Sequence, residues 1–190
     1  MRNVMLLSAR LVLGGYLSVH GAQKLFGAFG GHGLDTTGQA FERIGLTPGK
    51  PMAALAGATE LAGGLLTAIG AADPAGPLAI IGAMTVASAT HRANGPLAAR
   101  GGFELPVTNL AAAAALAAAG PGRLRLGRPL PRPLATAAFG AGGLLAALSL
   151  AKLLTAEKAS VADRPAPSEP ATDEPGTPAD AGESPAGAEA

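Results

Sequence analysis

The sequence contains no cysteine and no tryptophan, and only 3% of its 190 residues are aromatic. The absence of cysteine excludes disulfides, thiol redox relays, thiolate zinc sites and iron–sulfur clusters, so any redox role requires a bound cofactor. Charged residues are also scarce, at 14% of the chain. Soluble globular domains carry about 25% charged residues. The composition therefore argues against a soluble globule.

Apolar residues make up 48% of the chain, alanine and leucine supply most of them, and a further 28 residues are glycine. Such small side chains fill an aqueous protein core poorly, but in lipid they allow helix backbones to approach closely. The length leaves room for one folded domain. These features predict an integral membrane protein, with the lipid bilayer as its first partner.

The net charge of +1 conceals an asymmetry between the body of the chain and its C-terminal segment. Residues 156–190 hold eight acidic and two basic residues in a Pro/Ala-rich segment, so they carry about −6 and the body about +7. Without apolar periodicity, this acidic tail is expected to be disordered. The basic residues of the body form no helix face with interleaved aromatics, so nucleic acid is not an expected partner. Lipid headgroups are the expected counter-charge.

Apolar stretches long enough for helices in lipid occupy residues 4–26, 51–69, 77–90, 105–119 and 134–154. The fourth is mostly alanine and needs its neighbours in order to insert. A signal peptide is the rival interpretation of the first stretch, but Arg10 interrupts it and no clear cleavage site follows. We predict an all-α fold: a transmembrane helical bundle with a four-helix core, a fifth C-terminal transmembrane helix and a disordered tail.

The predicted organisation has three parts. Residues 1–127 form the four-helix membrane domain, residues 128–155 an Arg-rich connector with the fifth transmembrane helix, and residues 156–190 the tail. Residues 27–50 are predicted to be a long loop with a short surface helix near 37–44. The numbers of basic residues on the two sides do not decide the orientation. Four arginines within ten residues of the connector, from Arg123 to Arg132, favour a cytoplasmic N-terminus.

Four ionisable residues within the predicted spans stand out: Arg10, His20, Lys24 and Glu60. An ionised group at mid-membrane costs about 2.5 to 3.5 kcal/mol on insertion scales, so each needs a partner or a function. On a helix the three basic residues lie within a wedge of roughly 80°. Glu60 is surrounded by small residues, and its depth matches that of His20 and Lys24. We therefore predict that Glu60 contacts Lys24 or His20.

The alternation of the spans puts all three histidines on the same side of the membrane as Lys24. This placement predicts a polar pocket with a candidate site made of His20, Lys24, Glu60, His91 and Glu104. Other interpretations stay open: a structural ion pair for Glu60, snorkelling for Lys24 and Arg10, and ordinary loop polarity for His91. No histidine pair has the spacing of helix-borne ligands, which disfavours a metal site and makes haem a lesser candidate.

Four segments of the sequence resemble the DoxX family of small bacterial four-helix membrane proteins: RLVLGGYLSVHGAQKLFGAFGG, LAGATELAGGLLTAIG, HRANGPLAARGGFELP and GPGRLRLG. The resemblance covers about residues 8–127. It departs from the common pattern at Pro96 and Leu105, where aromatic residues are frequent, and at Arg125, where serine is frequent. By position, it assigns the family's recurrent polar residues to His20, Gly21, Lys24, Glu60, His91 and Glu104.

The resemblance implies a multi-pass protein of the bacterial cytoplasmic membrane, with a link to quinone-dependent or oxidative-stress redox systems. The leading hypothesis is that the protein is a subunit or accessory of such a system. Quinone is the possible cofactor, and an oxidoreductase subunit is the enzyme class considered. The alternative is a non-catalytic membrane scaffold that recruits a partner protein through its Gly/Ala faces and acidic tail. The expected protein contact is either such a partner or a second copy of the chain in a homo-oligomer. Transport has less support, because no inverted repeat is evident.

Overall fold

The computed structural model of the chain describes residues 1–162, apart from a few side chains in its last helix. These residues form six α-helices, with single 3-10 turns between some of them and no strands. The helices are α1 (Arg2–Phe26), α2 (Gly33–Arg43), α3 (Gly49–Ile69), α4 (Ala75–His91), α5 (Glu104–Ala119) and α6 (Arg132–Ala162). The predicted all-α bundle is confirmed.

Three segments are long and apolar enough to cross a membrane: Arg2–Phe26, Gly49–Ile69 and Pro133–Thr155. Helix α5 is apolar but shorter, and α4 has 17 residues. At about 1.5 Å of rise per residue, α4 and α5 span roughly 25 Å, a little less than the hydrocarbon layer. Both therefore depend on the longer helices beside them.

Prolines and glycines set the ends of the long helices. Pro48 precedes the first residue of α3, and Pro51 lies in its first turn, where the missing amide hydrogen costs no helical hydrogen bond. Helix α1 ends at Gly27 and α3 at Gly70, with φ values of 68° and 67°. This left-handed conformation is readily available only to glycine, so the two glycines terminate the helices sharply.

Glycines also determine how closely α1 and α3 pack against each other. A Cβ added to Gly64 would lie 2.6 Å from the carbonyl oxygen of Gly14, and one added to Gly21 would lie 2.8 Å from the Cα of Leu61. Neither site has room for a larger residue. The two antiparallel helices thus meet backbone to backbone, and this contact forms one side of a core with Leu13, Leu17, Ile80, Met84 and Leu116.

The segment between α1 and α3 is more ordered than predicted. Helix α2 starts at Gly33, whereas the sequence predicted a short helix near 37–44 within a long loop. It packs on the start of α3, where Gly38 faces Lys50 and the Glu42 carboxylate accepts a hydrogen bond of 3.1 Å from the amide of Gly49. The glycines of this segment suggested a loop, but Gly38 and Gly49 are needed for this close packing.

Helix α6 lies at the edge of the bundle against α4, and 6% of its apolar window is buried. At its far end, Lys152 donates a hydrogen bond of 2.5 Å to the carbonyl of Thr47. The helix continues to Ala162, so the first residues of the predicted tail are helical. The rest of that tail, residues 163–190, lies outside the described part of the chain.

The directions of the helices define two ends of the bundle. The start of α1, the α3–α4 turn and the α5–α6 connector lie at one end, which we call the N-terminal face. The other end carries the end of α1, helix α2 and the α4–α5 loop, and with them His20, His32 and His91. We call this end the histidine face.

Candidate functional site

The polar site predicted in the membrane centres on an ion pair between α1 and α3. The Lys24 ammonium lies 2.5 Å from Oε2 of Glu60, as predicted from helix depth. Glu60 is 5% exposed, whereas the Lys24 side chain keeps 26% of its surface. A charge-assisted hydrogen bond in such a poorly solvated setting is stronger than one in water, although desolvation of both charges offsets much of the gain.

The small residues of α3 make room for this ion pair. Gly57 lies one turn before Glu60, and a Cβ added there would come within 3.2 Å of the Lys24 Cβ and 2.8 Å of the Leu25 Cγ. The glycine lets the stem of Lys24 lie against the α3 backbone. The ammonium group then reaches Glu60 without leaving the protein.

His20 lies one turn before Lys24 on α1 and belongs to the same site. Its ring packs edge to face on Tyr16, with centroids 4.4 Å apart and an interplanar angle of 76°. It is half-buried and interacts electrostatically with both Lys24 and Glu60. An imidazole, an ammonium and a carboxylate are thereby gathered where α1 meets α3, and together they can donate, accept and transfer protons.

His91 and Glu104 lie on the same face but bind the loop between α4 and α5. The His91 Nδ1 is 2.8 Å from the carbonyl oxygen of Gly101, which also accepts a bond of 3.0 Å from the Asn94 amide. Glu104, the first residue of α5, accepts a bond of 3.0 Å from the amide of Ala98. The structure thus brings together three of the five predicted site residues, and the other two organise a nearby loop. A functional role for any of the five stays a prediction.

Arg10 shares the polar side of α1 but lies toward the N-terminal face. It is 3% exposed, and its guanidinium donates a hydrogen bond of 2.6 Å to the carbonyl of Pro121 and a second bond to that of Leu124. Among the described residues, its buried Nε has no hydrogen-bond partner. Arg10 therefore anchors the α5–α6 connector. Snorkelling does not describe it, because its head group is enclosed by protein.

Asp73, in the α3–α4 turn, was not among the predicted site residues. Burial raises the pKa of its carboxyl above the usual value, and the positive charges of Arg10 and Arg125 oppose that rise. Its backbone carbonyl accepts a bond of 2.9 Å from the amide of Leu130, so the connector also covers this turn. The only signal in the sequence was an acidic residue in a tight turn between two apolar stretches.

A cavity of about 400 Å³ opens on the histidine face, but it is not the predicted pocket, because its walls come from α2, α4, the following turn and α6 and include none of the five predicted residues. Charged residues of α2 and of the turn after α4 line it together with apolar residues of α6. The lining includes Glu42, Arg43, Thr90, Arg92, Leu150 and Leu154. The Lys24–Glu60 pair does not line this cavity; it lies where α1 meets α3, with Glu60 buried and the Lys24 side chain partly exposed.

A bundle of apolar helices with a buried ion pair between two spans defines a multi-pass helical membrane protein. Residues 5–93 match the model of the DoxX family, which confirms for this segment the resemblance found in the sequence. The match includes Arg10, His20, Lys24, Glu60 and His91, and it ends before Glu104. No curated protein and no solved structure matches the chain.

Proposed function

We propose that this chain is a subunit or accessory of a quinone-linked or oxidative-stress redox system in the cytoplasmic membrane of a bacterium. Its working site is the polar group formed by His20, Lys24 and Glu60. The observation that carries this proposal is the Lys24–Glu60 pair, in which a carboxylate that is 5% exposed meets an ammonium 2.5 Å away inside an apolar bundle. Ionisable residues at this depth are costly and usually functional.

The donor set of the site fits a quinone headgroup. Lys24 and His20 carry N–H donors for a carbonyl oxygen, and Glu60 offers a carboxyl group that can hold a proton close to the same place. A bound quinone would supply the electron-transfer chemistry that the protein lacks in the absence of cysteine. The part of the chain is to orient the headgroup and to hold or release a proton at the Glu60 carboxyl.

The proposal is tested in membranes of a strain that lacks this protein, complemented with the wild type, Glu60→Gln or Lys24→Met. The redox state of the quinone pool is measured under oxidative stress. The wild type should restore the pool, whereas both variants should fail to do so, because each removes one member of the pair. Immunoblots of the membranes must show equal amounts of each protein.

Asp35→Asn is the matched control. Asp35 pairs with Lys50 at 2.6 Å on the same membrane face, but its side chain is 78% exposed. This variant removes one acidic residue from the same end of the bundle without touching the buried site, so it should restore the pool like the wild type. Full restoration by Glu60→Gln would refute the proposed role of the buried pair.

A scaffold that recruits a protein partner is the second candidate function, and one observation favours it. The small residues of α1 and α3 are already engaged with each other, but added Cβ atoms on Gly140 and Gly143 of α6 would meet open space. This face of α6 can receive another helix. Deletion of residues 163–190 separates the two functions: it should abolish capture of a partner by a scaffold and leave the redox phenotype of the Glu60 site intact.

A further inference from the structure

A second cavity lies on the N-terminal face, at the opposite end of the bundle from the proposed redox site. It measures about 530 Å³, is open to the surface, and is bordered by the start of α1, the end of α5 and the connector that follows α5. Its lining consists of Arg2, Asn3, Ala119, Gly120, Pro121, Gly122, Arg123 and Arg125. The cavity is therefore surrounded by three arginines and has no carboxylate in its lining.

Two further features make the cavity electropositive. Helix α1 begins at Arg2 with no side-chain cap and no acidic residue in its first turn. The amide groups at the start of a helix carry partial positive charge and bind anions. Like charges held together in one cavity repel each other, and the single Asp73 carboxylate that interacts with Arg125 cannot balance three arginines, so an anion bound between them would stabilise the arrangement.

The connector that carries two of the arginines is held in place before any ligand binds. Arg10 binds two of its carbonyl groups, and the amide of Arg123 donates a bond of 3.2 Å to the Asn3 side chain. The amide of Leu126 donates a bond of 2.9 Å to Ile69 at the end of α3. Arg125 itself donates a bond of 2.9 Å to Gly122. This order lowers the entropic cost of binding.

The position of the cavity identifies the source of the anion. It lies at the outer ends of two membrane-embedded helices, which is the level of the lipid headgroups. Guanidinium groups bind phosphate with two parallel hydrogen bonds, and a phosphodiester at this depth belongs to a phospholipid. We propose that this cavity binds the headgroup phosphate of an anionic phospholipid. The proposal does not depend on the redox function.

The test compares lipid binding to the full-length protein in detergent micelles by native mass spectrometry. Phosphatidylglycerol and phosphatidylcholine are added to the wild type and to Arg2→Gln/Arg123→Gln. Phosphatidylglycerol should bind the wild type in preference to phosphatidylcholine, and the double variant should bind it about tenfold more weakly, as expected for the loss of charged hydrogen bonds. Both side chains are exposed, so the variant should fold normally.

The matched control is Arg43→Gln/Arg100→Gln, which removes two exposed arginines from the histidine face. It has the same net charge as the test variant and should bind phosphatidylglycerol like the wild type. Equal weakening in the two double variants would overturn the proposal, because general charge attraction would then explain the binding. Equal affinity for both lipids would also overturn it.

Inorganic phosphate distinguishes a lipid from a soluble anion. At the concentration that saturates lipid binding, inorganic phosphate should not displace phosphatidylglycerol, because it lacks the acyl chains that lie along α1 and α5. If inorganic phosphate displaced the lipid from the wild type but not from Arg2→Gln/Arg123→Gln, the cavity would be a site for a soluble phosphate compound. This result would overturn the lipid assignment. As a second variant, Arg123→Lys keeps the charge and should bind with intermediate affinity.

Discussion

Helix α1 carries one basic residue toward each end on its polar side, and the two are held in different ways. Arg10 is 3% exposed and binds the backbone carbonyls of Pro121 and Leu124, whereas Lys24 binds the carboxylate of Glu60. A carbonyl group cannot accept a stable proton, so the Arg10 contact is purely structural. A carboxylate can, which fits the proton-holding role proposed for Glu60. The same helix thus carries an anchor at one end and a candidate proton site at the other.

The largest expected effect is the loss of the anchor. Arg10→Met should lower the free energy of unfolding by about 4 kcal/mol, because two charged hydrogen bonds are lost and two carbonyl groups are left without their partner. The connector should also be released from the bundle. Trypsin digestion in detergent measures this release, since Arg123, Arg125 and Arg128 lie in the connector.

Arg10→Lys tests whether charge alone is sufficient at this position. An ammonium is a point charge and lacks the planar geometry that binds two separate carbonyl groups, so this variant should recover only part of the stability. Connector cleavage at the wild-type rate in Arg10→Met would contradict the anchoring role.

The ion pair at the other end should give a smaller loss of stability. Lys24→Met should cost about 3 kcal/mol, because it leaves a buried carboxylate without its cation. Lys24→Met/Glu60→Gln should recover most of this loss, since the unpaired charge is removed as well. Thermal unfolding of the wild type, the two single variants and the double variant gives the coupling energy.

The exposed Lys50–Asp35 pair provides the control for this cycle. Its nitrogen–oxygen distance of 2.6 Å is close to that of the buried pair, but its side chains are 63% and 78% exposed. Lys50→Met should therefore cost less than about 1 kcal/mol. Equal losses for the exposed and buried pairs would show that the burial of Glu60 has no energetic consequence.

Both ends of α1 depend on its close contact with α3, and neighbouring glycines test that contact. Gly14→Ala places a Cβ 2.6 Å from the amide nitrogen of Ala68 and should cost about 2 kcal/mol through overpacking. Gly15→Ala meets nothing within 4 Å and should be neutral or slightly stabilising, since alanine favours helix. Equal unfolding temperatures for the two variants would contradict the close contact of α1 with α3.

The smallest effect concerns Asp73. Burial raises the pKa of its carboxyl, and the positive charge of Arg10 opposes this rise. The folded protein then binds a proton more tightly than the unfolded chain. The stability gained from the protonated form is complete below the unfolded pKa of about 3.9 and is lost as the pH rises through the folded pKa. Asp73→Asn should flatten this part of the pH profile of unfolding. An unchanged profile would show that Asp73 is not responsible for it.

The helices and the ion pair could be predicted because each leaves a periodic or local signal. Apolar length located α1 and α3 to α6, three of which are long enough to cross a membrane, and the small residues around Glu60 showed that it faces another helix. The depth of Glu60 then limited its partner to Lys24 or His20, and the structure shows that it is Lys24. These inferences need only helix geometry and the cost of burying a charge.

The remaining features could not be predicted, because they depend on backbone groups or on contacts distant in the chain. The carbonyl groups that bind Arg10 look the same in every sequence, so nothing marked residues 121 and 124 as its partners. Likewise, the amide of Ala98 that binds Glu104 carries no side-chain signal. The sequence grouped His91 and Glu104 with Glu60 only because they are polar and lie on the same side of the membrane. In the structure, both bind the loop between α4 and α5 instead.

The most direct test of the central claim is the quinone content of the protein purified gently from its own membranes, measured by lipid extraction and redox difference spectra. The wild type and Asp35→Asn should carry quinone, and Glu60→Gln should have lost it. Equal quinone in the wild type and Glu60→Gln, or none in the wild type, would contradict the claim that the buried Glu60 site binds a quinone.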